Sequence, residues 1–142
     1  MEKMWAGRFS KEVDSGVNAF NSSISFDGIM YKNDIEGSIA HATMLGEAGI
    51  ITKEDSETLI KGLNEILADI DSGKLELDMT AEDIHMFVEA ELTKRFGSVG
   101  KRLHTSRSRN DQVALDIRLY LRDEIAEIRA LVHKITNVLC NI

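Results

Sequence analysis

The sequence predicts an all-α chain: an N-terminal helical domain over residues 1–100, then a signature loop and the start of a long bundle helix over 101–142. Three observations carry this. Proline is absent from all 142 residues, where average usage of about 5% would give roughly seven. Leu, Ile, Ala, Glu and Lys, all tolerated or favoured in helices, are abundant. And nearly every segment past residue 10 places its apolar residues three or four apart.

Taken in order, residues 1–9 hold Trp5, Arg8 and Phe9 without periodicity and read as an extended arm, with Trp5 as its packing anchor. From Ser10, the spacing of Val13, Val17 and Phe20 predicts a short first helix. Small polar residues at 21–25 break it. Ile35, Ile39, Ala42 and Leu45 place a second helix over about 26–47, with Gly49 near its end. Thr52 to Asp55 forms a capping-box-like start. Leu59, Leu63, Ile66 and Ile70 then make one apolar stripe, stopped by Gly73. After a connector over 74–79, Thr80 to Asp83 opens a further helix through Ile84, Val88, Leu92 and Phe96. Gly97 to Gly100, glycine-rich between two strong helices, is the expected domain joint. Over 112–142, Ile117, Leu121, Ile125, Ile128, Val132, Ile135 and Leu139 recur at steps of three and four, a heptad-like seam.

Composition narrows the function classes. A chain that is 43% hydrophobic and 29% charged reads as globular. The net charge of −7 argues against a general nucleic-acid binder. No apolar run approaches spanning length, and the first residues lack a signal-peptide core, so a membrane role is not expected and a cytoplasmic location is. Cys140 is the only cysteine, which excludes an internal disulfide framework.

The run HTSRSRNDQ over 104–112 is the least generic stretch. Ser108 with Asp111 fits a helix start, placing Arg107, Ser108, Arg109 and Asn110 at the mouth of the last helix. Free backbone N–H groups and the positive dipole end make such a mouth an anion site. A plain capped helix uses the same donors, and the two readings are compatible. Between Lys94 and Arg109 there are six basic residues and no acid. Lys94 and Arg95 suit a helix C-terminus. Arg107 and Arg109 precede a helix N-terminus, where a cation is better explained if an anion comes to it.

The decapeptide HTSRSRNDQV over 104–113 resembles the first signature region of the argininosuccinate lyase family, within the fumarase/aspartase superfamily. WAGRF over 5–9, FNSSI over 20–24 with Asp27, and EDIH over 82–85 with Glu89 match in the same order. Two positions depart from the family wording, Ser106 and Ala6, each in place of glycine. Ser106 weakens any argument that needs a positive backbone dihedral there. The resemblance implies cleavage of argininosuccinate to arginine and fumarate by β-elimination. It further implies a homotetramer, and no metal or other cofactor. It puts substrate contacts at Ser23, Asp27, Asp83, Arg109 and Asn110, with Arg107 and Ser108 beside them. The family's acid and base lie in later signatures, so they are expected beyond Ile142 and the chain alone is expected to be inactive.

Each residue also has a plainer use. Ser23 suits a turn or an N-cap, Asp27 a first-turn acid, Asp83 the reciprocal half of a capping box, and Asn110 a solvated second helix position. His85 and Glu89, four apart, read as a helix-face pair rather than a metal site. His41 reads as a packed histidine, and His104 is not expected to be a base. A lyase for another fumarate adduct, such as adenylosuccinate, and a crystallin-like structural role are the alternative classes.

Overall fold

The computed structural model describes residues 14–141, so the expectations for Trp5, Arg8, Phe9, Ser10 and Val13 lie outside them. Among the described residues the regular structure is entirely helical: α1 (Ser15–Asn21), α2 (Ile24–Asp27), α3 (Tyr31–Glu47), α4 (Lys53–Asp71), α5 (Ile84–Phe96) and α6 (Arg109–Cys140). Two 3-10 segments, Gly28–Met30 and Gly97–His104, join neighbouring helices.

The predicted stripes form the core. Ile35, Leu45, Leu59, Leu63, Ile66 and Leu92 are all fully buried. Burying each such side chain contributes roughly 1.5–3 kcal/mol, which is what holds α3, α4 and α5 against one another. Thr52 caps α4 as expected, its hydroxyl oxygen accepting from the Asp55 backbone N–H at 3.1 Å. Gly49 and Gly73 follow their helices at φ +69° and +72°, the left-handed conformation that lets a chain leave a helix.

Two boundaries differ from expectation. The second helix starts earlier, at Ile24, and is interrupted by the 3-10 turn before α3. The α5 helix starts at Asp83 and not at Thr80. Asp78 accepts from the Thr80 N–H at 2.9 Å and from its hydroxyl at 2.6 Å, holding Thr80 in a turn. Asp83 is then the true N-cap, extended at φ −148° and accepting from the Met86 N–H at 2.6 Å. The segment Gly97–His104 is helical and packed, with Leu103 fully buried. Gly100 permits this closeness, because a Cβ there would lie 2.6 Å from the Thr93 backbone nitrogen.

The N-terminal half of α6 lies on α3, tied by Asn33 Nδ2 donating to Asp123 at 3.1 Å. Beyond that the helix leaves the body, and every residue from 125 to 141 is exposed. Its seam is bare: Leu121, Ile128 and Leu139 are 50%, 57% and 65% exposed. No helix among the described residues is long and apolar enough to cross a membrane.

Candidate active site

Four of the seven residues singled out converge on the turn that opens α5. Ser23 donates its backbone N–H to the Glu82 carbonyl at 2.7 Å, and its hydroxyl donates to Asp27 at 2.5 Å. Ser23 therefore stands at the N-cap position of α2 without capping it. Asp27 uses its other oxygen to accept from the Ile84 N–H at 3.1 Å. The carboxyl of Asp27 is buried, and that burial raises its pKa against the opposing pull of the Ser23 and Ile84 hydrogen bonds. From the α6 side, Arg109 Nε comes within 3.6 Å of Asp83. The α2 start, the α5 cap and the α6 mouth thus meet in one place.

Ser108 and Asn110 are exposed at that mouth. Ser108 forms the predicted capping box: its hydroxyl accepts from the Asn110 N–H at 3.2 Å, and Asp111 accepts from the Ser108 N–H at 3.1 Å. The Asn110 amide has no hydrogen-bond partner among the described residues, leaving two donors and an acceptor for a ligand.

Arg107 goes elsewhere, which corrects its expected place at the mouth. Its guanidinium turns inward and donates to Ser38 Oγ at 3.2 Å, beside the negative field of Asp34 and Glu89. Burial lowers its pKa, and its Nε has no hydrogen-bond partner among the described residues. The basic island is likewise neutralised from within. Lys94 pairs with Glu91 at 3.3 Å, Arg95 with Asp69 at 2.8 Å, Arg102 with Asp55, and Arg109 with Glu89 at 3.3 Å. An incoming anion is therefore not needed to explain these cations: Asp69, Asp55 and Glu89, distant in sequence, already face Arg95, Arg102 and Arg109, and Glu91 faces Lys94 from one helical turn away.

Beneath the mouth lies a buried polar network that sequence reading missed. His85 Nδ1 is 2.8 Å from Asp34 and 3.3 Å from Asp116, and all three residues are 1% exposed. Gln112 bridges this group to Arg109: its Nε2 donates to Asp34 at 2.6 Å and its Oε1 accepts from Arg109 at 2.7 Å. Glu89, 3% exposed, faces both Arg109 and His104 Nδ1, the latter at 3.0 Å. His85 and Glu89 thus find separate partners and do not form the expected pair. His41 is packed as expected, its Nε2–H donating to the Thr105 carbonyl at 2.9 Å, and burial lowers its pKa. The signals available for the network were faint, its members coming from three different helices.

Electrostatics set the protonation of this group. Burial disfavours charge on all three residues. The hydrogen bond and field of Asp34 outweigh that burial for His85 and raise its pKa, and the same contact lowers that of Asp34. Asp116 is raised to about 7, first by burial and then by the Asp34 carboxylate beside it. An Asp34 carboxylate, a His85 imidazolium and a neutral Asp116 sum to zero charge. Their ligand atoms lie within 4.8 Å of one another, a spacing a dication could use. A dication bound there would displace the His85 and Asp116 protons and leave the same zero sum, so charge balance is met by two protons or by one dication.

Ser106, at the family's glycine position, has φ +59°, so the positive dihedral is present although the glycine is not. For an L-residue that conformation costs roughly 1–2 kcal/mol. Ser106→Gly relieves it but loosens the unfolded chain, for a net gain of about 0.5–1 kcal/mol. Urea unfolding measures this; a loss of stability would show that the serine side chain contributes something the backbone argument omits.

The lyase family matches residues 7–141 of the chain. The chain belongs to this family. Proteins named argininosuccinate lyase from Desulforamulus reducens and Acetivibrio thermocellus are each 59% identical to it over 140 residues, 99% of this chain. One from Heliobacterium mobile is 58% identical over 138 residues. The chain spans 30–31% of the length of these relatives. The all-helical build of the described residues is that of this lyase family.

Proposed function

We propose that this chain supplies substrate-binding residues to an argininosuccinate lyase of arginine biosynthesis, acting in the cytoplasm. The observation that carries this reading is the meeting of Ser23, Asp27, Asp83 and Arg109 at one turn, beside the exposed Ser108 and Asn110. β-Elimination across a C–N bond needs a base beside a carboxylate, stabilisation of a dianionic intermediate, and an acid for the departing guanidinium nitrogen. The residues here suit the middle task and positioning. Arg109, Asn110 and the α6 N–H groups offer donors for carboxylates, and Asp83 offers negative charge to the cationic arginine portion. In this reading Arg107 supports the site from below and does not touch substrate. The acid and base come from family signatures outside this sequence, and no cofactor takes part.

The same reading assigns the bare α6 seam to packing with other copies in a homotetramer, since an apolar helix stripe requires a partner. It also treats residues 101–142 as the opening of the bundle domain and 1–100 as the domain before it.

The test is fumarate release from argininosuccinate, followed by ultraviolet absorbance, for this chain and for a full-length lyase carrying it. Activity is expected only in the full-length protein. Asn110→Ala there should lower turnover about 100-fold or more with the fold intact, the scale of losing one transition-state donor. Near-normal turnover would remove Asn110 from the site, and no fumarate from a folded full-length protein would remove the substrate.

A further inference from the structure

The Arg109 guanidinium faces two acids, Glu89 at 3.3 Å and Asp83 at 3.6 Å, and makes its shortest contact with Gln112 at 2.7 Å. The Gln112 contact has a direction built into it. An amide presents an oxygen at one end and an NH2 at the other, and either can be turned toward a neighbour. Here the neighbours decide. The Asp34 carboxylate only accepts, so it takes the NH2 end at 2.6 Å, and the oxygen is left for Arg109 at 2.7 Å. Reversing the amide would set two acceptors against each other at Asp34 and two donors against each other at Arg109. Gln112 is 4% exposed and Asp34 1%, so water cannot repair either mismatch. Asp34 is itself fixed by His85 at 2.8 Å.

We propose that Gln112 is a positioning residue that, with its amide oriented by Asp34, holds the Arg109 guanidinium in the pose that receives a substrate carboxylate. This rests on the substrate reading of Arg109 given above. A guanidinium that must meet a carboxylate in a planar, two-point geometry loses affinity when it is free to rotate, because binding then has to order it. Gln112 sits one helical turn beyond Arg109 on α6, so its grip adds no chain to be ordered. Ser38, Arg107 and Asp116 line the far side of the network and do not reach Arg109 by hydrogen bond.

The experiment compares Gln112→Met, Arg109→Ala and the double variant in a full-length lyase carrying this segment, by steady-state kinetics with argininosuccinate. Methionine keeps the length and volume of glutamine and removes both polar ends. Gln112→Met is expected to raise KM about tenfold, with kcat changed less than threefold, the pattern of lost ground-state binding. In the Arg109→Ala background the same substitution should add little, whereas a residue that only stabilises the fold would lower activity by the same factor in both backgrounds. Should Gln112→Met fail to fold, Gln112→Asn is the second variant. It keeps the amide but is one methylene too short to reach Asp34 and Arg109 together, and it should raise KM in the same Arg109-dependent way. An unchanged KM in these variants, beside a raised KM in Arg109→Ala, would overturn the positioning role alone. An unchanged KM in Arg109→Ala would overturn the substrate reading and this inference with it.

Discussion

Asp34→Ala is expected to remove about 3–5 kcal/mol of folding stability, the range for breaking a buried charged pair by deleting one partner. Asp34 accepts from His85 at 2.8 Å and from Gln112 at 2.6 Å, and all three are buried. Truncation strands an imidazole and an amide donor where water cannot reach, and it takes away the negative charge nearest Arg107. A domain of this size is stable by roughly 5–15 kcal/mol, so the loss should be plain as a lower urea midpoint followed by helical circular dichroism. Asp34→Asn keeps the shape and part of the bonding and should cost less. A loss below about 1 kcal/mol for the alanine variant would mean the network is not a structural unit.

The second large effect is a dependence on pH. Asp116 has a folded pKa of about 7, raised from an ordinary 3.8. Between those values the folded chain holds a proton that the unfolded chain has released, so stability falls as pH rises through that window. The slope is about 1.4 kcal/mol per pH unit for one proton, on the order of 2 kcal/mol between pH 5.5 and 7. His85, also raised, acts in the same direction: its share is present below its ordinary 6.5 and is lost as pH climbs through its higher folded value. Asp34, lowered, acts oppositely. Its contribution is present above an ordinary 3.8 and is lost as pH falls through its folded value. Stability should therefore peak in mildly acidic buffer. Asp116→Asn, a neutral mimic of the protonated acid, should flatten the decline and leave the chain more stable than the parent at pH 8. A decline as steep in that variant as in the parent would assign the effect to other groups.

What the sequence revealed and what it hid divide along one physical line. The core stripes and the α4 and α6 caps are local patterns, set by residues within a turn or two of each other. Ser108 with Asp111 was readable because both halves of the capping box lie in one tetrapeptide. The start of α5 was misread because Thr80 and Asp83 compete for the same task, and the winner depends on Asp78 capturing Thr80. The inward turn of Arg107 and the pairing of Arg109 could not be read at all. Their partners come from α3 and α5, far away in sequence, and appear only once the helices pack. The buried group of Asp34, His85 and Asp116 is hidden for the same reason, its members coming from three different helices.

The α6 helix runs through 32 residues, Arg109–Cys140, without a proline or glycine. Nothing in it offers a hinge, so it moves as a rod. Gln112 and Asp116 are buried and Asp123 is tied to Asn33, so the first half of the rod is clamped along its length. The bare seam beyond Asp123 is a cantilever about 26 Å long. Whatever grips the seam is thereby set at a fixed distance and direction from the mouth, like the far end of a ruler.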